Sequence, residues 1–239
     1  MDFESFFKEI KEKLEKINIK IEEKQAENLY KYMNLMLEWN EKINLTAITE
    51  PKEVILKHFV DSLTILKFIE KEEKVIDVGT GAGFPGIPLN IMKDDCEYTL
   101  LDSLNKRIIF LEEVISNLEL RNIITMHARV EEAGKNKKHR EQYDIATSRA
   151  VAPLNVLLEY LLPLIKVGGK CICMKGSNVE EEINSAKNAI YTLGGEIEKI
   201  ESITLPDSDI SRNIVIIKKI KNTPSKYPRK PGTPLKEPI

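Results

Sequence analysis

The run Val75-Ile76-Asp77-Val78-Gly79-Thr80-Gly81-Ala82-Gly83-Phe84-Pro85-Gly86 restricts the fold more than any other stretch of the chain. A short apolar segment of strand length leads into alternating glycines, and helical sequence resumes at Ile87. Alternating glycines open backbone angles that are closed to residues with side chains, and they let a ligand approach the main chain. The order therefore reads as a buried strand, a tight turn and a helix, which together make a nucleotide-sized site.

From Lys74 onward the segments alternate. Strand-like 75–78 is followed by helical 87–92, 98–101 by 104–119, 123–126 by a polar stretch, 143–147 by 153–165, and 171–174 by 179–193. Such alternation needs crossover connections and predicts a mostly parallel sheet covered on both faces. Two strand-like runs, 195–205 and 213–220, follow with no helix between them, which predicts a terminal hairpin and an antiparallel edge strand. That ending suits the Rossmann-like seven-stranded α/β sheet of class I methyltransferases better than the classical dinucleotide fold.

Residues 1–70 read as a helical extension ahead of a domain spanning 71–221. Phe3, Phe6, Phe7, Ile10, Leu14 and Ile17 recur at helical steps, as do Leu29, Tyr32, Met33, Met36, Leu37 and Trp39. Pro51 opens a third helix through Val54, Ile55, Phe59, Leu63, Leu66 and Ile69. The stripes predict packing against one another and against the next domain.

A net charge of −2 over 239 residues hides an uneven distribution. From Lys218 to Ile239 seven Lys or Arg face one Glu, a net of +6. Five prolines from Pro224 onward make residues 222–239 a basic, proline-rich tail, expected to be extended and mobile until bound. No apolar run is long enough to span a membrane, and the first residues carry no secretory signal, so a cytoplasmic location is expected. Cys96, Cys171 and Cys173 lack metal-site spacing; no metal is expected, and Cys171 and Cys173 read as small apolar residues on one strand face.

Two cofactor classes compete for the glycine turn, nicotinamide dinucleotides and S-adenosyl-L-methionine. A pyrophosphate needs first-turn N–H groups, and Pro85 and Pro88 each remove one. S-adenosylmethionine has no phosphate and carries positive charge, which Asp77 favours directly or through water; the plainer reading is that Asp77 caps the loop. Asp102 ends the second strand-like run, where an acid accepts ribose hydroxyls or caps the next helix. Ala128-Arg129-Val130-Glu131-Glu132 falls where an adenine edge would lie, or is simply a charged loop.

Through Asp77-Val78-Gly79-Thr80-Gly81-Ala82-Gly83-Phe84-Pro85-Gly86-Ile87-Pro88-Leu89 the chain resembles the family of ribosomal RNA small subunit methyltransferase G, also called glucose-inhibited division protein B. Further stretches agree in order: Trp39-Asn40 with Asn44-Leu45-Thr46-Ala47-Ile48, His58 to Leu63, Arg129 to Glu132, Ser148 to Leu154, and Tyr227 to Pro234. The resemblance implies transfer of a methyl group from S-adenosylmethionine to N7 of a guanine in 16S rRNA, the partner being small-subunit rRNA or a ribosomal subunit. It implies cofactor contacts at Gly79, Phe84, the Val130-Glu131 backbone and Arg149, to which the loop reading adds Asp77, Gly81 and Asp102. Val130 departs from the alanine that family members often carry there.

That chemistry needs no general base, because N7 of guanine carries a lone pair and no proton. The guanine edge accepts hydrogen bonds from Arg or Lys. Arg149 is expected to border both cofactor and base, and Arg129, Lys175, Lys226, Arg229 and Lys230 to meet RNA. A solvated arginine pairing a nearby acid is the plainer alternative for Arg149 and Arg129, and an ordinary basic terminus for the tail. Lys175 at its strand end reads as a charge near phosphate or as a hydroxyl-activating lysine like that of ribose methyltransferases. His58 and Asp61 lie one helical turn apart and are placed to orient one another. A monomer is expected. The competing readings are a nicotinamide-dependent oxidoreductase and a noncatalytic RNA-binding module.

Overall fold

A computed structural model describes all residues, 1–239. Seven strands form one sheet: β1 (Lys74–Val78), β2 (Glu97–Asp102), β3 (Ile123–His127), β4 (Tyr143–Arg149), β5 (Ile165–Lys175), β6 (Gly195–Thr204) and β7 (Ser211–Lys219). Their spatial order is β3-β2-β1-β4-β5-β7-β6. β1 to β5 run parallel, and β7 runs antiparallel to both β5 and β6. The expected hairpin thus lies at the sheet edge, with the reversed strand one place in. Burial explains the choice: Asn213 to Ile217 of β7 are continuously buried, as a strand covered on both faces must be, while Glu196 to Ile200 of β6 are exposed and charge-rich, as an edge tolerates.

Alternate strand residues feed two cores. Ile76, Val78, Ala146, Cys171, Cys173 and Val215 pack under α8 (Leu154–Leu161) and α9 (Val179–Leu193). Val75, Leu100, Ile145, Ile172 and Ile216 pack with α5 (Gly86–Met92) and α6 (Asn105–Asn117). The helical extension joins this second cluster through α1 (Phe3–Lys16) and α2 (Glu23–Asn40), which bury Phe6, Ile10, Leu14, Leu29, Tyr32 and Met33.

Helix ends follow local chemistry. Asp2 caps α1 by accepting the Ser5 N–H at 2.9 Å, and Glu22 with Gln25 forms a capping box on α2. Pro163 stops α8 short of the expected 165, so β5 opens at Ile165. The polar stretch after β3 holds a short helix, α7 (Val130–Ala133). The third helix of the extension is not uniform: α3 (Pro51–Val54) passes through a π-helical turn, Ile55–Val60, into α4 (Asp61–Leu63) and then a 3-10 turn at Leu66–Phe68. No helix is long and apolar enough to cross a membrane.

The tail departs from expectation. It folds back onto the sheet domain, burying Tyr227, Pro228 and Pro234, and ends in α10 (Thr233–Lys236). Three acids outside the tail capture its N–H groups: Glu141 accepts from Thr223 at 3.2 Å, Glu159 from Arg229 at 2.7 Å and Glu131 from Gly232 at 3.0 Å. Proline lacks the donors that would otherwise need partners in such a segment.

Candidate functional site

The strand order reverses between β1 and β4, and ligands of open α/β sheets bind beyond the carboxyl ends at such a switch point. A cleft of about 580 Å³ lies there, within the roughly 300–1,000 Å³ usual for small-molecule sites. Gly79 (φ +67°), Gly81 (φ +63°) and Gly83 (φ +102°) carry β1 into α5 along its floor in the left-handed region. A Cβ on Gly79 would stand 2.6 Å from Val151 Cγ2, whereas the space over Gly81 is open.

The loop's N–H groups are nearly all in use. Gly79 and Thr80 donate to the Leu101 carbonyl, Gly83 and Phe84 to that of Thr80, and Ile87 to that of Gly83. Gly81 donates to Asp102 Oδ2 at 3.0 Å and Gly86 to Asp77 Oδ2 at 2.9 Å. Asp77 thereby occupies the start of α5, the place a pyrophosphate would need.

Asp77 does not line the cleft. Its Oδ2 also accepts the Thr80 hydroxyl at 2.6 Å, so it braces the loop from below, as the plainer sequence reading had it. Its Oδ1 is buried without a partner. Burial pushes the Asp77 carboxyl up to about 6, against the pull of its Thr80 and Gly86 hydrogen bonds.

Asp102 lines the cleft and accepts from Gly81 at 3.0 Å, from Leu104 N at 2.9 Å and from Arg107 at 3.2 Å, without capping α6. Val130 and Glu131 sit on α7 at the same wall, and Arg129 stands exposed at the rim.

Phe84 is the hub of an aromatic group, stacked on His58 with ring centroids 4.4 Å apart and beside Tyr32 at 5.4 Å. The Arg149 guanidinium lies 5.0 Å over the same ring. Arg149 donates to the Lys57 carbonyl at 2.8 Å, to Asp61 Oδ2 at 3.2 Å and to His58 Nδ1 at 3.1 Å. His58 Nδ1 also lies 3.2 Å from the Lys57 carbonyl, and Nε2 faces Thr46 Oγ1 at 2.8 Å. Burial, then the Arg149 charge, lowers the His58 pKa to about 3. His58 and Asp61 therefore do not orient one another directly; both hold Arg149.

Arg149, His58 and Ala150 also line a second recess of about 430 Å³, with Asp61, Lys175 and Arg212. Asp61 is buried at 2% exposure and bridges Arg149 to Arg212 Nε at 3.1 Å. Lys175 is buried and turned inward, to Glu182 at 2.6 Å and the Ala152 carbonyl at 2.7 Å. Arg229 likewise faces Glu159 at 2.6 Å, while Lys226 and Lys230 remain exposed. As folded, Lys175 and Arg229 spend their charge on internal partners, Lys175 on the half-buried Glu182 and Arg229 on the buried Glu159.

Sequence reasoning missed Tyr32 and Arg212. The apolar stripe predicts only packing for Tyr32, yet its hydroxyl donates to the Ala82 carbonyl inside the loop. Burial raises its pKa well above the ordinary value, so it stays a phenol. No local pattern marks either residue, since they reach their partners across 50 and 151 positions of chain.

The donor set fits S-adenosylmethionine. An unpartnered buried carboxylate oxygen beneath the loop, with Asp102 and Glu131 at the cleft, suits a cationic, hydroxyl-bearing ligand, and the consumed N–H groups leave no phosphate cradle.

Sequence comparison matches residues 25–215 to the family described as rRNA small subunit methyltransferase G. The chain is 53% identical over 232 residues to the ribosomal RNA small subunit methyltransferase G of Alkaliphilus metalliredigens, covering 96% of this chain and 97% of the relative. Identity to the Alkaliphilus oremlandii protein of the same name is 55%, with the same coverage. Among solved structures, a SAM dependent methyltransferase from Aquifex aeolicus aligns with a TM-score of 0.53 at 16% identity, over 76% of this chain and 97% of that one. M. jannaschii TYW2 in complex with AdoMet gives 0.52 at 17%, over 68% and 76%. At these identities the likeness is one of fold.

Proposed function

The chain belongs to the rRNA small subunit methyltransferase G family, and from that premise we propose that it methylates N7 of a guanine in 16S rRNA, with the cofactor along the glycine turn and the guanine in the adjoining recess. The observation that carries this arrangement is that the two recesses meet at Arg149.

Bound S-adenosylmethionine supplies an electrophilic methyl group on a sulfonium. N7 attacks with its lone pair, so the chain has no proton to remove and its task is alignment. In this reading Asp102 takes the ribose hydroxyls, and the Val130-Glu131 segment takes the adenine edge. Phe84 and the open face of Gly81 hold the reacting end. Arg149, fixed by Asp61, Lys57 and His58, presents a guanidinium edge between the two recesses, and Arg212 gives the second recess a cation suited to a guanine N7 and O6 edge, while Lys175 there is held by Glu182. His58 stays neutral and serves as a stacking support for Phe84. Arg129, Lys226 and Lys230 supply exposed charge toward phosphate. We place the enzyme in the cytoplasm, on the strength of its ribosomal substrate.

The test is to map N7-methylguanine in 16S rRNA from cells with and without the protein, alongside melting of the purified chain with S-adenosylhomocysteine or NAD. Loss of one modified guanine and stabilisation by S-adenosylhomocysteine alone are expected. Stabilisation by NAD alone, or an unchanged methylation map, overturns the reading.

A further inference from the structure

We propose that the C-terminal segment from Thr223 to Lys236 is the outer wall of the S-adenosylmethionine cleft and the element that positions α7, a role that rests on the cofactor reading above. A helix of four residues, Val130–Ala133, cannot hold itself in place. Its position is set by what packs on it, and the C-terminal segment does so at both ends.

At one end the Gly232 N–H donates to Glu131 Oε1 at 3.0 Å. At the other, Pro228 lies so near Gly134 that a Cβ there would stand 2.9 Å from Pro228 Cγ. Arg140 ties the same corner, donating to the Gly134 carbonyl at 2.9 Å and to those of Tyr227 and Thr223 at 2.7 Å each. The segment is itself pinned beneath this corner by Glu159, fully buried, which accepts from Arg229 Nε at 2.9 Å and Nη2 at 2.6 Å.

Beyond that anchor Gly232 turns at φ +82° into α10 and brings Leu235 to the cleft. Leu235 is 62% exposed, a large apolar side chain facing the cavity without a protein cover. It stands on the same wall as Val130, Glu131 and Tyr160, where the adenine is assigned. A flat aromatic ligand face there removes that apolar surface from water. The segment thus acts in cofactor binding, and its cations Lys226 and Lys230 are carried on a fixed strap in place of a free tether.

The experiment compares the full chain, a chain ending at Pro231 and the variant Leu235→Ser. Removing residues 232–239 takes away one Lys and one Glu, so net charge, and with it nonspecific RNA attraction, is unchanged. Calorimetric titration with S-adenosylhomocysteine should show Kd raised about tenfold by the truncation and about threefold by Leu235→Ser. The KM for S-adenosylmethionine should rise in step, while kcat at saturating cofactor and the salt dependence of binding to an rRNA fragment stay as in the full chain. Leu235 is exposed, so its variant folds even if the truncation does not. Equal S-adenosylhomocysteine affinity in the full chain and Leu235→Ser, with weakened RNA binding in the truncation, overturns the proposal. A full chain that binds no S-adenosylhomocysteine overturns the cofactor reading itself, and this role with it.

Discussion

The hydroxyl of Tyr32, on α2, donates to the carbonyl of Ala82 in the glycine turn, 50 positions away in the chain. The contact crosses from the helical extension to the loop of the sheet domain. It gives the extension a direct hold on the floor of the cleft, reinforced by the Tyr32 ring against Phe84.

Tyr32→Phe should keep the packing and orphan the Ala82 carbonyl. A buried acceptor without a partner costs about 1–3 kcal/mol. Urea unfolding should report a loss of that size, and S-adenosylhomocysteine affinity should fall with it as the loop loosens. An unchanged affinity would show that the loop holds its shape without the extension.

Asp61 binds two arginines at once, Arg149 and Arg212. Asp61→Ala leaves both cations without their shared carboxylate in a buried setting, which should destabilise the fold by about 3 kcal/mol. With the protein kept folded at low temperature, methyl transfer should drop further than cofactor binding, because Arg149 loses the partner that aims it between the recesses. Equal losses in kcat and cofactor affinity would place Asp61 with the cofactor alone.

His58 and Asp77 give stability opposite dependences on pH. The folded pKa of His58, about 3, lies below the 6.5 of the ordinary group. Between these values the unfolded chain binds a proton that the folded chain refuses, so this contribution is complete above pH 6.5 and is lost as pH falls, by at most about 1.4 kcal/mol per unit. Asp77, raised from 3.8 to about 6, contributes stability that is lost as pH rises through that window. His58→Gln cannot take up a proton. Measured by urea unfolding between pH 7 and 4.5, it should therefore gain on the natural chain as pH falls. Parallel profiles would show that the folded protein protonates His58 freely.

Arg229 and Lys230 are neighbours with opposite expected phenotypes. Arg229→Met strands the carboxylate of Glu159 and should destabilise by about 3 kcal/mol. Lys230 is exposed, so Lys230→Met should leave stability within about 0.5 kcal/mol while lowering the salt slope of RNA binding by about one. Melting curves and a salt titration on an rRNA fragment separate the two, and similar melting temperatures would contradict the internal role of Arg229.

Gly79→Ala places a methyl group at φ +67°, where a side chain costs about 1–2 kcal/mol, and drives it toward Val151. Both stability and S-adenosylhomocysteine affinity should fall. Retained affinity would show that Val151 swings clear.

What the sequence determined by itself was everything written in short-range periodicity and turn chemistry: the strand from Lys74, the glycine turn, the alternation that makes a parallel sheet, and the hairpin that ends it. These follow from the residues within one element, whose apolar spacing and backbone freedom leave few alternatives. Pro85 and Pro88 similarly argue against a phosphate cradle from sequence alone, and the folded loop places the Asp77 carboxylate at that helix start. The tertiary structure decided which long-range partner each polar group found. Asp77 went under the loop, Arg149 was shared among Asp61, His58 and Lys57, and Lys175 turned inward to Glu182. Above all, it folded the tail, because Glu131, Glu141 and Glu159 lie 70 to 101 positions from the residues they hold. A charge reads as free in sequence until folding fixes its distance to an opposite charge, and that distance is set by the packing of elements that carry no local signal of it.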